Sequence, residues 1–395
     1  MDAQSLLSSK QKKYTNQNPE EEDEMTQFLS SLKKEQGEED PVKWEKIDFN
    51  TIDVEETLPI EEEEGAPPSK EASSTSAKKS KNTEEMFIVT LPVPVPYVVC
   101  AASNLLFIRQ DDIGLFRELR KLQRTLLIGN AGIGKSWFQW IHILFCARPD
   151  IYKAISEDDD FPPDRNENKE PPQIILRYTP TKLNVFFPSL GVVHLIPSSA
   201  PNYPSLLMEM FDEPRVTLLY DPEVELRSLK IPSLRELNFL VSLSPSVQRF
   251  ETWKTKIYGG DVLMRYMPCP SLKELIVTVR SIHGMSNSGL VGDELKRRND
   301  VDELVKSRVS QIGPFLREVI QRDEVWNKTL KDRLKMFGKL DLSMLGETVP
   351  DHPENHFIHI YAVDREDLPY SKFTLKLSCD LVVEEAKKAL AKLGC

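Results

Sequence analysis

The run from Gly129 to Ser136 has the residue types and spacing that phosphate binding requires. It fits the pattern G-x-x-x-x-G-K-[ST] at each fixed position. Its glycines allow backbone conformations closed to other residues, so successive N–H groups can point at one phosphate. Lys135 would reach the β- and γ-phosphates of a nucleotide, and the Ser136 hydroxyl would bind Mg²⁺. The predicted phosphate loop consists of Gly129, Asn130, Ala131, Gly132, Ile133, Gly134, Lys135 and Ser136.

Hydrolysis of a bound nucleotide would require acidic side chains in addition to the loop. One carboxylate has to hold the metal, and a second has to orient the attacking water. Asp221 ends an apolar run and is the candidate for the metal, although it also fits a turn before Pro222. Glu223 is the candidate for the water. Ser244 ends another apolar run, where it could contact the γ-phosphate or cap the following helix.

Apolar strands that alternate with helices must position these residues. Residues 124–130 predict a buried strand before the loop, and residues 135–147 predict an apolar helix after it. Further strands are predicted at QIILRYT, LNVFF, VVHLI, VTLLYD, LNFLVSLS and VLMRYMP, and a short helix at YPSLLMEMF. Strands separated by helical pieces predict an α/β fold with a mostly parallel sheet and helices on both faces.

Three regions are predicted along the chain. These are a disordered acidic tail at residues 1–85, a P-loop NTPase core at 86–290, and a C-terminal helical and small α+β region at 291–395. The core opens with MFIVTLPVPVPYVVC, whose alternating prolines predict an extended edge or lead-in segment. Residues 293–337 are charged with a helical pattern, and two strands with a closing helix are predicted after them.

The tail carries the net charge of the chain. Residues 1–85 contain 22 acidic residues and 11 lysines without any arginine, which accounts for the whole net charge of −11. Its apolar content is too low to offset the entropy of ordering, so the tail is expected to be solvated. Two short islands, MTQFLSSLKK and VKWEKIDF, could fold on a protein partner. The remaining 310 residues are balanced in charge, so we do not expect direct binding of nucleic acid.

Several classes of protein are disfavoured by composition. The five cysteines are odd in number and scattered, which argues against a disulfide scaffold and a zinc site. Apolar runs are too short for a membrane span, and the N-terminus lacks the apolar region of a classical signal peptide. An intracellular location, in the nucleus or the cytoplasm, is therefore expected. The N/T-K-x-D type of guanine determinant does not occur in the sequence, which favours ATP over GTP.

The order of motifs resembles the P-loop NTPase module shared by Crinkler proteins and retrotransposon hot spot proteins. The resemblance lies in GNAGIGKSWF at 129–138, LLYDPE at 218–223, SPSVQRFETWKTK at 244–256 and RYMPCPSLKEL at 265–275. A later segment, SRVSQIGPFLREVI at 307–320, is similar to a family segment that ends in arginine. The resemblance implies a P-loop NTPase in which Arg317 is a cation that senses the γ-phosphate.

Two kinds of function remain open at this point. The chain could be an ATP-dependent molecular switch, in which Lys135, Ser136 and Asp221 bind Mg-ATP and Glu223 assists hydrolysis. Arg317, or a cation from a second copy in a homo-oligomer, would then stabilise the transferring phosphoryl group. Alternatively, the chain could be a non-catalytic nuclear or effector-like interaction protein, whose acidic tail binds basic surfaces on a degenerate NTPase scaffold. The intact loop and Asp221 favour the switch.

Overall fold

The computed structural model describes part of the 395-residue chain. The described residues are 19–34, 37–49, 52, 85–95, 104–121, 124–130, 132–156, 174–178, 182–188, 191–197, 216–220, 238–243, 262–285, 292–337, 358–363, 372–377, 379, 382–384 and 387–388. Their elements, in chain order, are α1 (Pro19–Ser31), β1 (Lys43–Asp48), β2 (Glu85–Thr90), β3 (Leu105–Arg109), α2 (Gln110–Lys121), β4 (Arg124–Ile128), α3 (Lys135–Ala147), α4 (Pro149–Ser156), β5 (Ile174–Tyr178), β6 (Lys182–Phe187), β7 (Val192–Pro197), β8 (Val216–Tyr220), β9 (Asn238–Leu243), β10 (Leu263–Tyr266), α5 (Leu272–Ile282), α6 (Asp293–Ile312), α7 (Leu316–Val319), α8 (Asp323–Phe337), β11 (Ile358–Val363) and β12 (Lys372–Leu377).

The largest sheet has seven strands in the order β10-β4-β9-β8-β5-β6-β7. The first five of these strands run parallel, whereas β6 and β7 are antiparallel to their neighbours. The predicted α/β fold is confirmed, and its sheet is mixed. Only three residues join β5 to β6 and four join β6 to β7, and such short links cannot form the crossover that parallel neighbours need.

Both faces of this sheet are buried. Leu127 and Leu240 belong to one core cluster with Phe138 and Ile141 of α3. Leu126, beside Leu127 on the opposite face, is also fully buried. A strand covered on both sides has no polar face, which explains why β4 reads as a continuous apolar run.

A second, antiparallel sheet has the order β1-β2-β3. Its central strand is β2, which pairs with β1 on one side and with β3 on the other. The edge alternative of the prediction was therefore wrong for residues 86–90, which lie in this central strand. The prolines that suggested it begin at Pro92, after β2 has ended at Thr90, so they remove no donor from the strand.

Two segments of the expected acidic tail are folded onto the body. The helix α1 packs against β7, where the Ser30 hydroxyl donates a 2.7 Å hydrogen bond to the carbonyl oxygen of Gly191. The ring of Phe28 meets that of Trp140 edge-on, with 5.3 Å between centroids. The strand β1 pairs with β2. The structure corrects the expectation of a solvated tail for these two segments; most of the rest of residues 1–85 lies outside the described residues.

A buried arginine holds the end of this N-terminal segment. The guanidinium of Arg148 donates to the carbonyl oxygen of Leu32 at 2.9 Å and to both carboxylate oxygens of Asp40 at 3.0 and 2.6 Å. Hydrogen bonding from Arg148 lowers the pKa of Asp40. Charge-assisted bonds of this kind are about twice as strong as neutral ones, so they fasten the segment after α1 to the body.

The C-terminal region matches its predicted elements where it is described. Residues 293–337 form α6, α7 and α8, and β11 pairs with β12 in an antiparallel hairpin. Buried Arg280 of α5 forms an ion pair with buried Asp302 of α6. The predicted helix at 203–211 lies outside the described residues, and the closing helix is described only at residues 382–384 and 387–388. Within the described part of the chain, no helix is both long and apolar enough to span a membrane.

Candidate functional site

The loop at 129–136 joins β4 to α3 at the carboxyl ends of the parallel strands. Strand β4 lies between β9 and β10, and the chain fills the sheet on the β9 side before it crosses to β10. Open α/β sheets bind ligands at such a point, where the direction of winding changes. The topology therefore places the loop at the position in the sheet where a ligand is expected.

Two neighbouring strands anchor the start of the loop. The amide of Gly129 donates to the carbonyl oxygen of Leu243 at 3.2 Å, and the amide of Met267 donates to the carbonyl oxygen of Ile128 at 2.8 Å. A Cβ atom on Gly129 would lie 2.6 Å from Cδ1 of Ile133 and 3.3 Å from Cβ of Met267. A side chain at the first glycine would therefore force Ile133 and Met267 to move.

The second and third glycines are required by backbone conformation. Gly132 and Gly134 have φ angles of 82° and 105°, in the left-handed region that other residues rarely adopt. Gly134 is also the N-cap of α3, so it offers no side chain to cap the first N–H groups of the helix. Those N–H groups and the positive end of the helix dipole favour an anion at this point.

The ammonium group of Lys135 is folded back over the loop. Its Nζ donates hydrogen bonds of 2.7 Å to the carbonyl oxygens of both Gly129 and Asn130. Asn130 is buried, and its amide nitrogen lies 3.4 Å from Sγ of Cys269. Burial raises the pKa of Cys269 to about 11, so this side chain is a neutral thiol at physiological pH. The loop therefore carries one positive charge, fixed beside its own backbone.

Asp221, Glu223 and Ser244 follow, in the sequence, two parallel strands of the large sheet. Ser244 comes directly after Leu243, the residue whose carbonyl accepts from Gly129. Asp221 and Glu223 follow the end of β8, which β9 separates from β4. Because β8 and β4 are two strand spacings apart, roughly 10 Å separates the two strands. Ala131, Asp221, Glu223 and Ser244 themselves lie outside the described residues.

The segment around Arg317 lies against the glycine loop at 129–136. The amide of Arg317 donates a 3.4 Å hydrogen bond to the carbonyl oxygen of Gly132, and its side chain is exposed. A Cβ atom on Gly132 would lie 2.8 Å from Oε2 of Glu318 and 3.2 Å from Cβ of Arg317. The structure thus brings Arg317 to the loop, together with Glu318, which the sequence analysis missed.

Arg308 is a second residue that the sequence analysis missed. Its guanidinium is buried and donates 2.6 Å hydrogen bonds to the carbonyl oxygens of Val319 and Gln321. It also pairs with Asp323 at 2.5 Å and lies 4.9 Å above the ring of Trp326. A signal was present, because Val305, Arg308, Val309 and Ile312 have the i, i+3, i+4, i+7 spacing of one helix face.

A buried charge cluster lies behind the loop. Arg109 forms a two-pronged ion pair with Asp112, at 3.2 and 2.9 Å, and donates to the carbonyl oxygen of Pro268 at 3.0 Å. Glu274 accepts from the amide of Ser271 at 2.7 Å in a capping box. A cavity of about 30 Å³ lies between this cluster and the loop. It has room for water but not for a nucleotide.

The charge of Glu274 is expected to make stability depend on pH. Burial raises its pKa to about 7, against the usual value of 4.5, while Arg109 opposes the shift. The folded protein then keeps a proton that the unfolded chain releases, so stability falls as pH rises from 4.5 through 7. The difference between a pKa of 4.5 and one of about 7 corresponds to about 3 kcal/mol, so Glu274→Gln, which removes this penalty, should stabilise the protein by about that amount at pH 8.

Urea unfolding of both proteins at pH 4.5 and pH 8 measures this effect. Most of the stabilisation by Glu274→Gln should vanish at pH 4.5, where the wild-type carboxyl is protonated in the folded state. Equal effects of the substitution at the two pH values would show that Glu274 ionises with an ordinary pKa.

A buried polar network joins α3 to the ends of two strands. The amide nitrogen of Gln139 donates to the hydroxyl of Ser242 at 3.2 Å, and its amide oxygen accepts from Nε of Arg177 at 3.3 Å. Gln139 lies one helical turn after Lys135, and Ser242 lies two residues before Ser244. The network therefore connects the base of the loop helix to β9 and β5.

The predicted Mg²⁺ ligands can be compared with the described residues only in part. Ser136 is the second residue of α3, whereas Asp221 is not described. Among the residues that are described, no group of three or more His, Cys, Asp or Glu side chains could hold a metal ion.

No known family model matches the chain, and no curated protein matches it.

Proposed function

We propose that the chain binds ATP with Mg²⁺ at residues 129–136 and hydrolyses it as a molecular switch, in the manner of the Crinkler and retrotransposon hot spot NTPase module. The observation that carries the proposal is the glycine loop at the switch point of the sheet, with Nζ of Lys135 held 2.7 Å from two loop carbonyls. This arrangement combines backbone donors with a cation beside the loop, as binding of a polyphosphate requires.

Binding would use the loop, the first turn of α3 and the Asp221 carboxylate. The N–H groups at the start of α3 would bind the β-phosphate, and Lys135 would turn from the loop carbonyls to the β- and γ-phosphate oxygens. Ser136 and Asp221 would hold Mg²⁺, which neutralises charge on the phosphate oxygens when it is bound. The left-handed φ angles of Gly132 and Gly134 let the backbone N–H groups of the loop turn in directions that other residues rarely allow.

Hydrolysis would depend on residues that follow β8 and β9 in the sequence and on the C-terminal helices. Glu223 would orient the attacking water and accept its proton, and Ser244 would contact the γ-phosphate. Arg317 is exposed beside Gly132 and would stabilise the charge that develops on the transferring phosphoryl group. A cation from a second copy of the chain would serve the same purpose.

The alternative is an interaction protein that uses its acidic tail. In that function the acidic residues of the tail would bind basic surfaces, and its two apolar islands could fold on the partner. Both islands contribute to elements that pack within this chain, as α1 and β1. The observations therefore support the nucleotide switch better.

The test is release of phosphate from ATP by the full-length chain with Mg²⁺, compared with GTP and with EDTA present. Glu223→Gln should leave ATP binding within about twofold while it lowers turnover by roughly a hundredfold, because general-base catalysis typically contributes a factor of 10² to 10⁴. Glu225→Gln changes charge equally, two residues away, and should have little effect. Equal loss in both variants, or turnover that persists in EDTA, would refute these assignments.

A further inference from the structure

Residues 313–320, called the latch from here on, lie across the phosphate loop. Around Gly132, the position of a Cβ atom is 2.8 Å from Oε2 of Glu318, 3.2 Å from Cβ of Arg317 and 3.6 Å from Cβ of Phe315. The Arg317 amide adds its hydrogen bond to the Gly132 carbonyl. The carboxylate of Glu318 is therefore a negative charge held against a loop whose backbone attracts anions.

The latch is rigidly attached to the C-terminal helices. Arg308 of α6 holds it through the carbonyl oxygens of Val319 and Gln321, and the same guanidinium binds Asp323 at the start of α8. The helix α6 is in turn fastened to α5 by the buried ion pair between Arg280 and Asp302. A displacement of the latch would consequently be passed to α6 and α8.

A bound triphosphate would bring several negative charges close to Glu318. At a separation of about 6 Å and an effective dielectric constant of about 20, two like charges repel strongly enough to weaken binding by roughly a hundredfold. Mg²⁺ and solvent screening would reduce that factor. Because Gly132 has no Cβ atom, the Glu318 carboxylate occupies space that a side chain at this position would otherwise fill.

We propose that the latch closes the phosphate loop when nucleotide is absent, and that the Glu318 carboxylate makes the closed latch and a bound triphosphate compete. This inference rests on the proposed function and adds its regulation. Nucleotide binding opens the latch, and the movement carries the nucleotide state of the loop to α6 and α8. Arg317, the neighbouring residue of opposite charge, is then available to the γ-phosphate.

Equilibrium binding of a fluorescent, non-hydrolysable ATP analogue with Mg²⁺ to the full-length chain tests the latch. Glu318→Gln removes the charge with little change in shape and should tighten binding by about tenfold. Glu318→Asp keeps the charge and should remain near wild type. Glu324→Gln is the matched control, because it removes a carboxylate that is exposed on α8, and it should not change the affinity.

Hydrogen exchange supplies a readout that does not depend on the variants. The amides of residues 313–320 should exchange faster in the wild-type protein when the analogue is added, because the latch opens. Unchanged or weaker binding by Glu318→Gln, or latch amides that become more protected with analogue, would overturn the latch alone if binding still depends on Lys135. Absence of Lys135-dependent binding would overturn both the latch and the proposed function.

Discussion

Lys135→Ala is expected to weaken binding of Mg-ATP by roughly a hundredfold, because hydrogen bonds to a charged partner contribute about 1.5–3 kcal/mol. The Nζ of Lys135 is the positive charge that the structure holds over the loop, 2.7 Å from the carbonyl oxygens of Gly129 and Asn130. Binding would exchange those two carbonyls for phosphate oxygens. Titration of the full-length chain with a fluorescent ATP analogue in Mg²⁺ measures the loss.

The control for this substitution has to show whether the effect comes from the position of Lys135 or from the loss of any one positive charge. Lys153→Ala removes an exposed lysine from α4 and should leave nucleotide affinity unchanged. Since Lys135→Ala also removes two hydrogen bonds within the loop, thermal unfolding of the variant without nucleotide should be recorded as well. Equal affinity of the wild type and Lys135→Ala would exclude the loop as the nucleotide site.

Phe28→Ala is expected to destabilise the full-length protein by about 3 kcal/mol, the usual cost of removing a buried aromatic side chain. Phe28 is completely buried, and its ring packs edge-on against Trp140 of the loop helix α3. Although it lies in the acidic segment, the residue is part of the main core cluster. Urea unfolding of wild type and variant measures the difference.

Gln27→Ala provides the comparison for Phe28→Ala. Gln27 is the adjacent residue of α1 and is exposed, so its replacement should change stability by no more than about 0.5 kcal/mol. If both variants unfolded at the wild-type urea concentration, α1 would not contribute to the stability of the body. The outcome distinguishes a structural N-terminal helix from a solvated tail.

The average composition of residues 1–85 led to a wrong expectation for the helix α1. The composition of residues 1–85 is that of a solvated chain, but Met25, Phe28, Leu29 and Leu32 have the i, i+3, i+4, i+7 spacing of an apolar helix face. All four are buried in the structure. The apolar helix face can be recognised in the sequence, whereas the sequence does not show that this face packs against β7 and α3.

Central strands and the loop helix were predictable because their signals are local. The helix α3 has the predicted bounds, and β4, β5, β8, β9 and β10 lie within the predicted apolar runs. The spacing of the glycines in the loop motif also predicted unusual backbone conformations. Gly132 and Gly134 do adopt left-handed φ angles. The antiparallel direction of β6 and β7 was missed although the short links before them are visible in the sequence.

By itself, the sequence determined the strand, loop and helix around Lys135, because the conformations involved depend on residues within a few positions of one another. Only the tertiary structure decided what faces that loop. Contacts of Gly129 with Met267, of Gly132 with Glu318, and of Arg308 with the latch join residues that are distant in the chain. Such contacts arise from long-range packing and burial of charge, and a local pattern such as the helix face that contains Arg308 does not identify the partner.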